Sequence, residues 1–171
     1  MDRPLPNTYW VIPGRLLAGE YPLGPDDADT PARLASLHEA GVDYFVDLTE
    51  EGELTGYRHL LPPRSQHVRS AIVDTYVPTD AAQMQQILSV IRAALEQGRC
   101  VYVHCRAGIG RTGVVVGCFL AEEGGNGKAA LKLLNRLWRQ SERAKSWPKV
   151  PQTREQADYI RRWPKLGKLG P

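Results

Sequence analysis

One stretch of the chain has the residue types and spacing for chemistry: His104-Cys105-Arg106-Ala107-Gly108-Ile109-Gly110-Arg111-Thr112-Gly113. Five residues separate a cysteine from an arginine, and two glycines lie between them. If Cys105 leaves a strand and Arg111 opens a helix, the intervening turn can curl so that successive backbone N–H groups point inward as an anion nest. Gly108 and Gly110 permit the backbone angles this needs. The helix N-terminus adds partial positive charge, and Arg111 adds a planar fork that matches two phosphate oxygens. Residues Arg106, Ala107, Gly108, Ile109, Gly110 and Arg111 are thus predicted to bind a tetrahedral dianion. The same field acts on sulfur. A free thiol has a pKa of about 8.5, and nearby cations and helix N-termini lower it by one to several units. Cys105 is therefore expected to be a thiolate at neutral pH, able to attack phosphorus and form a phosphocysteine.

Such a loop must be delivered by regular elements, and the flanking sequence supplies them. Cys100-Val101-Tyr102-Val103-His104 is nearly all apolar, as suits a strand inside a sheet, and Val114 to Leu120 reads as a buried helix. Upstream, residues 8–18 read as two short strands broken at Pro13-Gly14, and Gly19 to Pro25 as a loop. Thr30-Pro31 predicts a capped helix start, through Leu34 and Leu37 to a stop at Gly41. Tyr44 to Leu48 reads as a strand, residues 49–66 as a long polar excursion, and Val68 to Val73 as a short strand. Thr79 or Asp80 can cap a helix whose apolar face is Met84, Ile87, Leu88, Ile91 and Leu95. Further helices are expected over Lys128–Trp138 and from Thr153 to near Trp163-Pro164. Strands alternating with helices predict an α/β fold: a single domain with a central, mostly parallel twisted sheet of four to five strands and helices on both faces. The core is placed at about 8–163 and a flexible basic tail at 164–171.

Composition removes other classes. The chain has 171 residues, 24% charged and 42% hydrophobic, which excludes fibrous and disordered chains. Its longest apolar run, Gly113 to Ala121, falls short of the roughly 20 residues that span a bilayer, so no transmembrane segment is expected. A net charge of +3 is too mild for a dedicated nucleic-acid binder. The start lacks the apolar core of a signal peptide, which points to a cytoplasmic protein. The odd count of three cysteines predicts no disulfide framework, and their spacing no zinc site. Cys100 and Cys118 read as core. Cys100 lies about 16 Å along an extended segment from Cys105, too far for the Cα separation of about 7 Å that a disulfide tolerates. Arg161, Arg162, Lys165 and Lys168 form a basic cluster that reads as a solvated end.

The motif His-Cys-x5-Arg-Thr resembles the signature loop of the cysteine-based protein tyrosine phosphatase superfamily. The chain's size resembles the compact dual-specificity branch, and Arg15-Leu16-Leu17-Ala18-Gly19-Glu20-Tyr21-Pro22 is similar to the opening of its small bacterial members. The resemblance spans roughly residues 8 to 163. It implies hydrolysis of phosphomonoesters without metal or other cofactor. It also implies a general acid on an upstream loop, and Ile72-Val73-Asp74-Thr75-Tyr76-Val77-Pro78 looks like the family's Asp-x-x-x-Pro form of that loop. Asp74 is the expected acid. Asp80 is the alternative, better read as a helix cap. By the same resemblance Thr112 hydrogen-bonds the Cys105 sulfur and eases its departure, and His104 orders the loop. Gln156 is a candidate for positioning the hydrolytic water, although Thr153-x-x-Gln156 is also a capping box. Tyr76 and Tyr21 are guessed to line the mouth of the site.

The expected partner is a phosphorylated protein or peptide, carrying phosphotyrosine or also phosphoserine and phosphothreonine, acted on by a monomer. Ala107 and Ile109 are neutral where phosphoinositide members of the superfamily often carry lysines. A phosphoinositide or other small phosphomonoester is therefore the second choice. A rhodanese-type sulfurtransferase would not need the upstream acid. Low-molecular-weight phosphatases and related arsenate reductases place their cysteine loop near the N-terminus with the acid downstream. A catalytically inactive phosphate-binding module would have lost the cysteine, the arginine or the acid.

Overall fold

The computed structural model describes residues 2–23 and 29–167. Two of the elements read from sequence therefore lie partly outside it: the end of the Gly19–Pro25 loop, and Lys168 to Pro171 of the tail. Five strands build one sheet: β1 Thr8–Ile12, β2 Leu16–Gly19, β3 Tyr44–Asp47, β4 Gln66–Arg69 and β5 Val101–His104. Their order is β1-β2-β5-β3-β4. The β1–β2 hairpin is antiparallel, and every other pairing is parallel. This is the α/β architecture expected from the alternation of elements.

Side chains alternate across the strands and feed two cores. From β5, Val101 and Val103 pack on one face while Tyr102 packs on the other. The second face is covered by α1 (Thr30–Glu39) through Leu34 and Leu37. The first is covered by α2 (Ala81–Glu96), α3 (Arg111–Gly124), α4 (Gly127–Trp138) and α5 (Arg154–Leu166). Helix α3 is apolar on nearly every side, with ten of its residues buried from Arg111 to Ala121. It sits between the sheet and the outer helices, so the loop before it is held from behind. Among the described residues no helix is long and apolar enough to cross a membrane.

Several boundaries differ from expectation for identifiable reasons. The strand expected to reach Val73 ends at Arg69. Beyond it the chain peels off the sheet, with the Ile72 N–H donating to Leu48 O at 3.1 Å and the Ile72 carbonyl turned to Arg111 at 3.2 Å. Helix α1 already includes Thr30, so the cap position falls to Asp29, whose side chain makes no capping hydrogen bond. Helix α5 continues through Pro164 to Leu166 instead of ending there. Proline's fixed φ is itself helical, so near a helix end it removes only one hydrogen bond. The fully buried Trp163 and a hydrogen bond from Gln85 to the Gly167 carbonyl hold that last turn. The segment expected to be a loose tail from residue 164 is therefore helical as far as Leu166.

Candidate active site

Strand β5 ends at His104 and leaves Cys105, 3% exposed, at the carboxyl edge of the sheet's central strand. In open α/β sheets this is where ligands bind. The turn to α3 is braced from outside. The Tyr21 N–H donates to Arg106 O at 3.0 Å, and Arg143 Nη1 donates to Ala107 O at 2.8 Å. Each carbonyl pulled outward turns the N–H of the same planar trans peptide the other way. The N–H groups of Ala107 and Gly108 therefore point away from Tyr21 and Arg143. Gly108 has φ +74°, and a Cβ there would stand 2.5 Å from the Gly19 carbonyl carbon. Only glycine lets the loop seat against β2.

Arg111 opens α3 and is 1% exposed. Its Nη1 and Nη2 each donate to a carboxylate oxygen of Glu53 at 2.7 Å. Nη1 also reaches Ile72 O, and Nη2 lies 3.1 Å from Asp74 Oδ1. The buried Nε has no partner. Glu53 therefore fixes the far end of the guanidinium, while on the Nε–Nη2 edge Nη2 faces Asp74 and Nε has no partner. The hydrogen bond from Arg111 holds the Glu53 carboxyl below its ordinary pKa, against a smaller upward push from burial.

Asp74 stands half-exposed beside that edge, on a turn closed by Tyr76 N–H to Val73 O. Its carboxylate accepts from the Thr75 N–H, and Thr75 sits at φ +68°, unusual for a β-branched residue. Asp80 is elsewhere in role: it caps α2, accepting from the Gln83 N–H at 2.8 Å. Gln156 is fully buried. Its Oε1 accepts from Thr153 N–H in a complete capping box, and its Nε2 donates to Tyr76 O at 3.0 Å. It ties α5 to the turn that carries Asp74, with both polar ends of its amide engaged. The Thr112 hydroxyl points to Gly19 O at 3.5 Å rather than to sulfur. Arg106 is exposed at the rim. Of the two tyrosines guessed to line the mouth, Tyr76 is 60% exposed, while Tyr21 is buried with its hydroxyl on Thr55 O.

His104 lies behind the loop, fully buried. Burial pushes its pKa down to about 4 despite the neighbouring Asp47 carboxylate, so it is neutral at pH 7. The Tyr57 hydroxyl lies 2.5 Å from His104 Nε2. Burial raises the Tyr57 pKa well above its ordinary value, so the phenol stays neutral and hydrogen-bonds the ring nitrogen. Asp47, buried under the same cluster, pairs with His67 and Arg69 at 3.2 Å and accepts from Thr49. Burial alone would raise its pKa, but the bonds from His67 and Thr49 and the proximity of His104 hold it well below the carboxylate range.

A buried neutral histidine has a stability consequence. Between about pH 6.5, the unfolded value, and about 4, the unfolded chain binds a proton that folded His104 refuses. Stability must then fall as pH drops through that window. Urea midpoints measured from pH 7 to 4.5 will decline less steeply in His104→Gln than in wild type; parallel declines would contradict the neutral assignment.

Glu53, Asp47, Tyr57 and Arg143 were not among the residues picked from sequence. An acidic residue inside the apolar Tyr44–Leu48 run was a usable sign for Asp47. Nothing in the local spacing marks Glu53, 58 residues before Arg111.

A nearly buried cysteine at a sheet edge, a braced loop, a helix-opening arginine and a carboxylate beside it lie together at the carboxyl edge of the α/β sheet. The chain belongs to the PTP-SAK family, described as "Swiss Army Knife protein, DSP-PTPase phosphatase domain", which matches residues 5–159. It is similar to "Putative tyrosine phosphatase 067L" of Invertebrate iridescent virus 3, at 35% identity over 94 residues, covering 52% of this chain and 38% of that protein. A second viral relative is covered to 42%, so the chain spans about two fifths of the length of these curated relatives. Its fold is similar to crystal structures of Tk-PTP in the active form (TM-score 0.70, 22% identity, covering 94% of this chain and 97% of that one) and of P. aeruginosa TpbA (0.65, 19%, 91% and 89%).

Proposed function

We propose that this chain hydrolyses phosphomonoesters of proteins, phosphotyrosine first and phosphoserine or phosphothreonine as well, through a phosphocysteine on Cys105. The observation that carries the reading is the guanidinium of Arg111. Glu53 clamps its far end, its Nε is buried and unpartnered, and Asp74 stands 3.1 Å from Nη2. A phosphoryl group on the Nε–Nη2 edge and the loop N–H groups has Cys105 on one side and the Asp74 carboxyl near its leaving oxygen. Sulfur attacks phosphorus, the P–O bond breaks, and Asp74 gives its proton to the departing oxygen. Water then attacks the phosphocysteine, Asp74 takes a proton from it, and sulfur leaves. Each step is stabilised by donors already aimed at the oxyanion. His104 and Asp47 act from behind, by fixing the loop. Gln156 is a tether for the acid turn and a weaker candidate for positioning water, because both ends of its amide are engaged. No step uses a metal, so chelators are expected to leave turnover unchanged. The three cysteines are free, which suits a reducing, cytoplasmic setting.

The test is p-nitrophenyl phosphate turnover in two aspartate variants. Asp74→Ala slows it by about 10²–10⁴-fold, the usual worth of a positioned acid, and flattens the basic limb of the pH–rate profile. Asp80→Ala shortens α2 slightly and leaves turnover near wild type. If Asp80→Ala shows the larger loss instead, the acid has been misassigned.

A further inference from the structure

The helices on the first face leave a groove of about 1580 Å³ between α4, α5 and the segment from Ser146 to Thr153. Its charge is one-sided. Lys128, Lys132 and Arg136 recur every four residues along α4, Arg139 follows its end, and Lys149 faces them from the connecting segment. All five are exposed. Helix α4 contains no acidic residue, and the groove's Asp158 is occupied by Arg154 and Arg161 of its own helix. Among the described residues none of the five cations has an ion pair. Like charges at this spacing destabilise a helix, so the stripe is an arrangement that folding alone does not favour. The opposite face of α4 is committed to the core through Ala130, Leu134 and Trp138.

The groove ends at the catalytic loop. Gln152 lines it, and a Cβ added at Gly110 would stand 3.1 Å from Gln152 Oε1. Pro151, also a lining residue, packs on Gly113 of α3. A polypeptide whose phosphorylated residue enters the loop has this trough as its neighbour. We propose that the α4–α5 groove docks an acidic segment of the phosphoprotein substrate, held by the Lys128, Lys132, Arg136, Arg139 and Lys149 cations. This rests on the reading of the loop as a protein phosphatase site. The concave trough suits an extended chain. A bilayer would need a flat or convex face, and so is the less favoured occupant.

The test separates docking from chemistry. Binding of a fluorescent, unphosphorylated poly-glutamate peptide is followed by anisotropy, for wild type and for Lys132→Glu/Arg136→Glu. Wild type binds with an affinity that falls as salt rises. The double variant binds about tenfold more weakly or worse, while its p-nitrophenyl phosphate turnover stays within about twofold of wild type. On phosphotyrosine peptides wild type shows a higher kcat/KM with acidic than with neutral flanks, and the variant loses that preference. No peptide binding, or binding that survives charge reversal, would overturn the proposal. So would phosphatidylserine vesicles that bind wild type and strip the peptide from it, since the surface would then be a membrane contact. Absent p-nitrophenyl phosphate turnover would count against the catalytic reading and not against the groove, because the binding arm needs no phosphate.

Discussion

Cys105→Ser will abolish turnover of p-nitrophenyl phosphate while leaving the urea midpoint close to wild type. The expected fall is on the order of 10⁶-fold, the scale on which losing a nucleophile removes a covalent pathway. The reason is local. Cys105 is nearly buried at the end of β5 and is the one thiol in the loop; in the proposed mechanism Arg111 and the loop N–H groups serve as donors and Asp74 as the acid. A serine hydroxyl keeps the volume but is not ionised at neutral pH; His104 does not activate it, since Nε2 is taken by Tyr57, and in the first step Asp74 is assigned the proton for the leaving oxygen. Stability is preserved because the loop is held by Tyr21, Arg143 and α3 rather than by sulfur. Turnover in this variant comparable to wild type would remove Cys105 from the mechanism.

Arg111→Lys will lose about 10³-fold or more. Removing one preorganised donor from an oxyanion site costs about 10²–10³-fold, and lysine removes two, Nε–H and Nη2–H, while keeping the charge. It also cannot span the two oxygens of Glu53, each 2.7 Å from a guanidinium nitrogen. That leaves a partly buried carboxylate without its bidentate partner, beside the oxyanion site. The variant will therefore show weakened inhibition by vanadate along with lower kcat. If charge alone sufficed, Arg111→Lys would keep most of its activity, and the planar fork would be irrelevant.

The loop was legible because its parts are contiguous. Ten residues in a row carry the nucleophile, the glycine that permits the turn and the arginine that opens the helix, and the flanking runs announce strand and helix by hydrophobic pattern. Asp74 is preferred to Asp80 because it follows a strand-like run within an Asp-x-x-x-Pro segment that resembles the family's acid loop, while Asp80 precedes a clean amphipathic helix that needs a cap. What holds the loop was not legible. Glu53 and Tyr57 sit in the polar stretch 49–66, whose course is set by where it packs, and period and propensity say nothing of that. Arg143 reaches Ala107 from a short 3₁₀ turn 36 residues on. The misplaced end of β4 has a related cause. Ser70 to Val73 is strand-like in composition, but the Ile72 carbonyl serves Arg111 rather than the sheet ladder. Tyr21, guessed to line the mouth, is buried edge-on to Tyr57 and His104.

Rapid-quench analysis of wild type with p-nitrophenyl phosphate tests the central claim most directly. Acid-quenched protein sampled during turnover should carry phosphate on the peptide containing Cys105, with a burst of p-nitrophenol approaching one equivalent per active site when the second step limits. Turnover with no covalent phosphate at any quench time, or phosphate found on a residue other than Cys105, would contradict it.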